Sequence, residues 1–476
     1  MYTSRRAFLR WTGSGAAALA LGGGMRTSSA AAQPPNILFL LTDDQRFDTI
    51  HALGNPNIQT PALDALAARG TAFTNAHIMG STLPAVCVAS RAMLLTGRPL
   101  FHLPASLLGP GSVPPVADSS PCVTFPEQFR AAGYHTFVTG KWHNGKESLT
   151  RGFAAGAAIF FGGMSDHSKM TVFDFDPSGE YPKGKAYTGG AFSSELFSDS
   201  AVRFLRDYDG DAPFLAYVAY SAPHDPRTPP GDYAGRYAPD SLPLPSNFLP
   251  EHPFDNGELR IRDEELAPWP RTPETVRGHL AAYYGMISHL DAQVGRVLEA
   301  LEASGRAGNT IIVFASDNGL AIGSHGLLGK QNLYEHSVRV PLILCGPGIP
   351  RGEQRDALWY LSDVFPALSG LVDPAAPEGA SAASAFTGAG AQGRELLFFA
   401  YRDVQRAVRT GRWKFIRYIV GGRRTAQLFD LEADPGECVN LAGEPAHAER
   451  VAEMHALLRR AMRKADDPCY DAWYRA

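Results

Sequence analysis

The chain has 476 residues, enough for one large α/β domain with a smaller one beside it. A net charge of −4, with 19% charged residues, leaves no footprint of a nucleic-acid binder. The 48 glycines and 36 prolines point to long loops, and 5 cysteines are too few for a disulfide scaffold.

In chain order, Ser4-Arg5-Arg6-Ala7-Phe8-Leu9-Arg10 resembles a twin-arginine export signal. A weakly apolar run from Gly13 to Gly24 follows, and Ala30-Ala31-Ala32 offers a small-residue cleavage site. The apolar run is too short to span a bilayer. Residues 1–32 therefore read as a signal peptide, and the mature chain is expected to start near Gln33, soluble and without an integral membrane segment.

Asn36-Ile37-Leu38-Phe39-Leu40-Leu41 is continuously apolar and reads as a strand buried on both faces of a mostly parallel sheet. It ends at Asp43-Asp44. Taken alone, two acids in a row read as a solvated turn. At a strand's C-terminal end they sit where α/β sheets place ligands, and two carboxylates held together need a cation. Pro61 to Arg69, closed by Gly70 as a C-cap, predicts a short amphipathic helix.

Cys87-Val88-Ala89-Ser90-Arg91 continues through Leu95 to Thr96-Gly97. A lone cysteine is most often a buried structural residue. The helix expected from Ser90 to Leu95 sets residue 87 at the positive end of a helix dipole, a good place for an oxyanion or a sulfate. Tyr134 to Thr139 reads as a strand running into Gly140-Lys141-Trp142-His143. Lys141 and His143 lie two apart and share a face in extended backbone.

The Gly-rich, polar stretch from Ile159 to Lys169 reads as a loop, and Ser194 to Asp207 as a helix. A third buried strand, Phe214 to Tyr220, leads to His224. The Pro-rich run from Arg227 to Arg271 reads as a surface excursion able to wall a cleft. Thr275 to Ala303 has the longest helical period, with His289 and Asp291 expected on its surface. Thr310 to Ser316 is a fourth strand, ending at Asp317-Asn318, and Lys330 follows.

Residues 372–393 are Ala-, Gly- and Ser-rich and read as a linker between a domain over 33–371 and a subdomain over 394–476. That subdomain should hold a small antiparallel sheet and a helix from Ala446 to Lys464. Cys438 and Cys469 share it; spacing cannot show that they reach bridging range.

Four strands thus end in polar clusters, with the cysteine segment and Lys330 between and after them. This order is similar to that of the formylglycine-dependent (type I) sulfatases of the alkaline-phosphatase-like superfamily. The Cys87 segment resembles that family's signature of Cys, any residue, Pro or Ala, Ser, then Thr-Gly. Gln427-Leu428-Phe429-Asp430-Leu431, Asp434-Pro435-Gly436-Glu437 and Asn440-Leu441 resemble its small-domain motif. The resemblance implies an α/β fold with a large mixed sheet between helices and a small C-terminal α+β subdomain. It implies an exported sulfatase acting on a sulfate ester, with a sulfated carbohydrate the favoured substrate, in the periplasm or outside the cell.

In the family, Cys87 would be oxidised to formylglycine (3-oxoalanine) by a maturase, before the twin-arginine export machinery carries the folded chain out. Asp43, Asp44, Asp317 and Asn318 form an oxygen-donor set that suits a hard cation rather than zinc. By resemblance the cation is Ca²⁺ ahead of Mg²⁺, with residue 87 completing the shell. Arg91 and Lys141 would hold the hydrated aldehyde, and Asp317 would take the proton of its attacking hydroxyl. Lys141, Lys330 and His224 would neutralise the sulfate, and His224 or Lys330 would protonate the leaving alcohol. His143 would deprotonate the second hydroxyl, which expels sulfate from a formylglycine-sulfate intermediate. Ala89 stands where many members have Pro, which leaves open the maturase that acts.

Two other functions fit the residues. A phosphonate or phosphate ester hydrolase on the same fold needs similar groups, since sulfuryl and phosphoryl groups differ mainly in charge. A secreted binding protein with an unconverted Cys87 would keep the anion affinity without turnover. Asp166, His167 and Arg227 are candidates for substrate contacts.

Overall fold

The computed structural model describes residues 34–114, 122–372, 384, 386–388 and 393–474. The signal segment and most of the 372–393 linker lie outside these residues. Among the described residues, no helix is long and apolar enough to cross a membrane.

The elements that frame the site follow the hydrophobic pattern. They are β1 Asn36–Thr42, α1 Pro61–Arg69, β2 Thr71–Phe73, α2 Val86–Thr96, β3 His135–Lys141 and β4 Ala155–Phe160. Next come α3 Ser193–Asp207, β5 Phe214–Ala219, α4 Pro273–Ala303, β6 Thr310–Ser316, β7 Leu342–Cys345 and β8 Glu353–Arg355. An eight-stranded sheet runs β8-β2-β7-β6-β1-β5-β3-β4. Its strands are parallel except β7, which pairs antiparallel with both β6 and β2.

Strand alternation sends side chains to two cores. Leu38 and Leu40 of β1 pack with Leu63 of α1, Phe197 of α3 and Leu290 of α4 on one face. Ile37, Phe39 and Leu41 pack on the other with Ala92 and Met93 of α2. Helices therefore cover both faces, which is why the central strands carry unbroken apolar runs.

The C-terminal sheet is built from β9 Leu397–Tyr401, β10 Gln405–Arg409, β11 Trp413–Val420 and β12 Arg423–Asp430, all antiparallel. The two-residue strand Gly80–Ser81 adds to its edge, parallel to β9. Helix α5, Ala448–Lys464, packs Met454, Leu458 and Met462 beneath it. The small-domain motif has a physical role: buried Glu437 forms an ion pair with Lys414 Nζ at 2.9 Å and accepts from the Glu335 amide at 2.7 Å.

Several expectations are corrected. The helix at the cysteine starts at Val86, not Ser90. No side chain caps it, so its start carries no sequence signal, and Ser90 instead turns its hydroxyl to the Asp317 carbonyl. Gly70 is extended, not left-handed. It is needed because a Cβ there would lie 2.1 Å from the Leu344 carbonyl oxygen. Ile159 and Phe160, read as the start of a loop, instead end β4, since pairing with β3 outweighs a weak Ala/Gly strand propensity. Cys438 and Cys469 are both free thiols.

His289 and Asp291 are buried rather than on the surface. His289 faces Glu195 at 3.1 Å. Asp291 accepts from the Ala62 and Leu63 amides at 3.0 and 2.8 Å, capping the first turn of α1. Asp291→Ala would orphan two buried donors, and unfolding free energy should fall by about 1–3 kcal/mol. Thermal denaturation checks this, and an unchanged midpoint would show that the cap carries no weight.

Candidate active site

The C-terminal ends of β3, β5, β1 and β6 lie side by side in the parallel sheet, so the polar residues after each converge. Asp43 and Asp44 follow β1, and Asp317 and Asn318 follow β6. Lys141 ends β3, and His224 follows β5. Helix α2 points its first turn, with Cys87, at the same place.

Asp44 sits at φ 68°, a left-handed conformation that Asp tolerates better than most residues. Its amide donates to Asp317 Oδ1 at 3.2 Å, and its carbonyl accepts from Tyr283 OH. These bonds pin the turn and aim the two carboxylates of Asp43 and Asp44 inward. Gly140 allows the approach of Lys141: a Cβ there would fall 1.9 Å from the Ala219 carbonyl oxygen, at a bulge in the β3 pairing.

Three buried carboxylates meet three buried cations. Lys141 Nζ contacts Asp43 Oδ2 and donates to the Gly163 carbonyl at 2.6 Å. Lys330 Nζ lies 2.6 Å from Asp44 Oδ1. Arg91 Nε donates to Asp317 Oδ2 at 2.7 Å and its Nη1 to the Lys141 carbonyl at 2.9 Å. Burial alone would raise the Asp43 carboxyl, but Lys141, His224, Arg91 and Lys330 hold it well below the usual range. Burial and the neighbouring Asp43 charge push the Asp317 carboxyl up to about 6.

Three buried oxygens in this cluster, Asp43 Oδ1, Asp44 Oδ2 and Asn318 Oδ1, have no hydrogen-bond partner. An unsatisfied buried oxygen is costly, and three of them converging amount to a set of acceptors made for a cation. One atom each from Asp43, Cys87 and Asp317 also lie within 4.8 Å of one another. The donors fit a hard divalent ion.

Cys87 Sγ is 3.2 Å from His143 Nδ1 and 3.9 Å from Lys141 Nζ. Burial raises the thiol's pKa despite Lys141 and Lys330 nearby, so the unmodified thiol is a poor nucleophile. Burial, with the charges of Lys141 and Arg91, pushes the His143 imidazole down to about 2, so it stands neutral and its protonated form is disfavoured. His224 Nε2 is 3.7 Å from Asp44 Oδ2, and its Nδ1 donates to the Asp225 carbonyl at 2.9 Å.

A cavity of about 280 Å³ opens over Cys87, His143, His224 and Lys330. The Arg227–Arg271 excursion does form its wall, through Ile261, Arg262 and Asp263, and the 159–169 loop adds Gly163 and Met164. These contacts had no sequence signal, because both segments lack a period and only the fold returns them to the sheet edge. Asp166, His167 and Arg227 are not among the lining residues. His167 is buried, bonded to Ser193 Oγ at 2.7 Å and the His224 carbonyl at 2.9 Å, so it supports the His224 turn. Arg227 Nη1 turns to His279.

Comparison with known proteins follows this geometry. Residues 35–374 match the sulfatase family, and residues 323–464 match the C-terminal region of N-sulphoglucosamine sulphohydrolase. The chain is 30% identical over 467 residues to an ulvan-active sulfatase of Formosa agariphila, covering 91% of this chain and 82% of that one. It is 25% identical to an N-acetylglucosamine-6-O-sulfatase of Bacteroides thetaiotaomicron, covering 95% and 90%. A protein solved with its substrate D-glucosamine-2-N,6-O-disulfate superposes with a TM-score of 0.73 at 24% identity, covering 92% of this chain and 99% of that one.

Proposed function

This chain belongs to the sulfatase family and is a sulfuric ester hydrolase, and we propose that it removes sulfate from a carbohydrate ester outside the cytoplasm. The observation that carries the chemistry is the meeting of Cys87, three carboxylates, three fixed cations and two histidines at one sheet edge. The carbohydrate rests on similarity to a sugar sulfatase, and the extracytoplasmic setting on the twin-arginine-like segment.

The Cys87 thiol, buried and hard to ionise, is itself a poor nucleophile, and formylglycine at this position would supply paired hydroxyls for attack on sulfur. Asp43, Asp44, Asp317 and Asn318 would hold a divalent cation, Ca²⁺ ahead of Mg²⁺, which offsets negative charge on the sulfate. Lys141 and Lys330, each fixed against a carboxylate, present positive charge to the sulfate oxygens without reorganising. Arg91 locks both Asp317 and the end of β3, so it sets the distance between the two sides of the site. His224 lines the same cavity as His143, where it can give a proton to the departing alcohol.

His143, 3.2 Å from residue 87, is placed to take a proton in the second half of the reaction, in which sulfate departs, once the negative charge of bound sulfate offsets Lys141 and Arg91. A His143→Ala variant should release about one equivalent of alcohol quickly and then turn over slowly. Stopped-flow measurement checks this, and a single slow phase without a burst would reject the assignment. The function as a whole is tested by comparing kcat/KM for 4-nitrophenyl sulfate, 4-nitrophenyl phosphate and sulfated monosaccharides. A preference for the phosphate would move the chain to phosphoryl chemistry.

A further inference from the structure

Beyond the groups that clamp sulfate, the cavity wall is mixed. Pro84, Ala85, Met164 and Ile261 are apolar, and Arg262, 2.7 Å from Met164 Sδ through Nη1, and Asp263 are charged. Arg262 is 43% exposed and at first sight offers a receptor for an anion. Its terminal nitrogens are already committed. Nη1 donates to Asp225 Oδ2 at 2.5 Å, and Nη2 to Asp225 Oδ1 at 3.1 Å and Asp263 Oδ1 at 2.5 Å. Two carboxylates thus hold one guanidinium, with His224 and Arg227 also near Asp225 and Lys330 near Asp263. Asp263 Oδ2 also holds Gln331 Nε2 at 2.8 Å, which directs that amide away from the opening. Lys330, the remaining lysine or arginine among the described lining residues, is tied to Asp44.

We propose that Arg262 and Asp263 determine specificity, selecting a leaving alcohol that carries no anionic group besides the sulfate being cleaved. The proposal rests on the sulfatase reading and adds the substrate's charge class to it. A second sulfate or a carboxylate on the leaving group would have to displace a carboxylate from Arg262 to gain a cation on the wall, and would lie beside Asp263. Like charges held together in a partly desolvated site are disfavoured, and the penalty shrinks with salt. The apolar lining residues accept the uncharged face of a sugar or aryl ring instead.

The test uses two aryl sulfates alike except for a ring carboxamide in one and a carboxylate in the other, assayed with the converted enzyme. The carboxamide ester should have a kcat/KM about tenfold higher at low salt, with the gap narrowing as salt is added. Asp263→Asn frees part of the Arg262 charge and should narrow the gap. Arg262→Gln removes the guanidinium that both carboxylates hold and should widen it. Equal rates, a preference for the carboxylate ester, or loss of carboxylate turnover specifically in Arg262→Gln would overturn the proposal, the last by showing Arg262 to be an anion receptor. Failure to hydrolyse either ester, or any sulfated sugar, would instead overturn the sulfatase reading on which it stands.

Discussion

Cys87→Ser, given substrate, is expected to take up one sulfate and stop. Serine keeps one hydroxyl at the end of α2, beside Lys141 and His143, so attack on sulfur remains possible. It lacks the second hydroxyl on the same carbon by which the hydrated aldehyde would expel sulfate. Direct hydrolysis of the sulfated serine would need a positioned water and base, and His143 is instead placed against residue 87 itself. Steady-state turnover should fall on the order of 10⁴-fold or more, the scale seen when a covalent nucleophile is removed. Mass spectrometry of the peptide bearing residue 87 reads both halves: a sulfated serine in the variant and an aldehyde in the wild type. A wild-type enzyme that is fully active with an intact thiol, or a serine variant that turns over many times, would remove Cys87 conversion from the mechanism.

Asp317→Ala and Asp44→Ala should each abolish stoichiometric divalent-ion binding, with activity falling about 10³-fold or more. The loss has two parts. Each variant removes a charged ligand from a cluster in which three oxygens already lack partners. Each also strands a buried cation, Arg91 in the first case and Lys330 in the second, which costs about 3–5 kcal/mol of stability. The Asn versions keep the shape and separate these effects: they should fold close to normally and still bind the ion weakly. Metal analysis of the purified proteins, alongside thermal denaturation, decides the matter. Full calcium occupancy with full turnover in the Ala variants would show that the ion, if used, sits elsewhere.

Much of the site was legible because strand ends in a parallel sheet leave a local mark. The run from Ile37 to Leu41 is apolar at every position, as a strand covered on both faces requires, and its end at Asp43-Asp44 therefore marks a sheet edge. The same logic found Lys141, His224 and Asp317-Asn318. The start of α2 was not legible, because neither Ala85 nor any neighbour caps it and its stability comes from packing Ala89, Ala92 and Met93 into the core.

The amino-acid sequence by itself determined the chemical inventory and its order along the chain: oxygen donors, a cysteine in a small-residue setting, and cations spaced between strands. Those features are carried by residue type and by periods of two or 3.6, both local. Tertiary structure alone decided how the charges are partnered. Arg91 could have faced solvent, but crossing 226 positions to Asp317 makes it the brace of the site. Asp291, expected on a helix surface, and His167, a candidate for substrate contact, became supports for a helix start and a histidine turn because the elements around them close over them. Arg262 and Asp263 reached the cavity from an aperiodic excursion, and their charge balance exists only once Asp225 is beside them. Pairings across such distances follow from sheet order and loop return, and no local propensity records either.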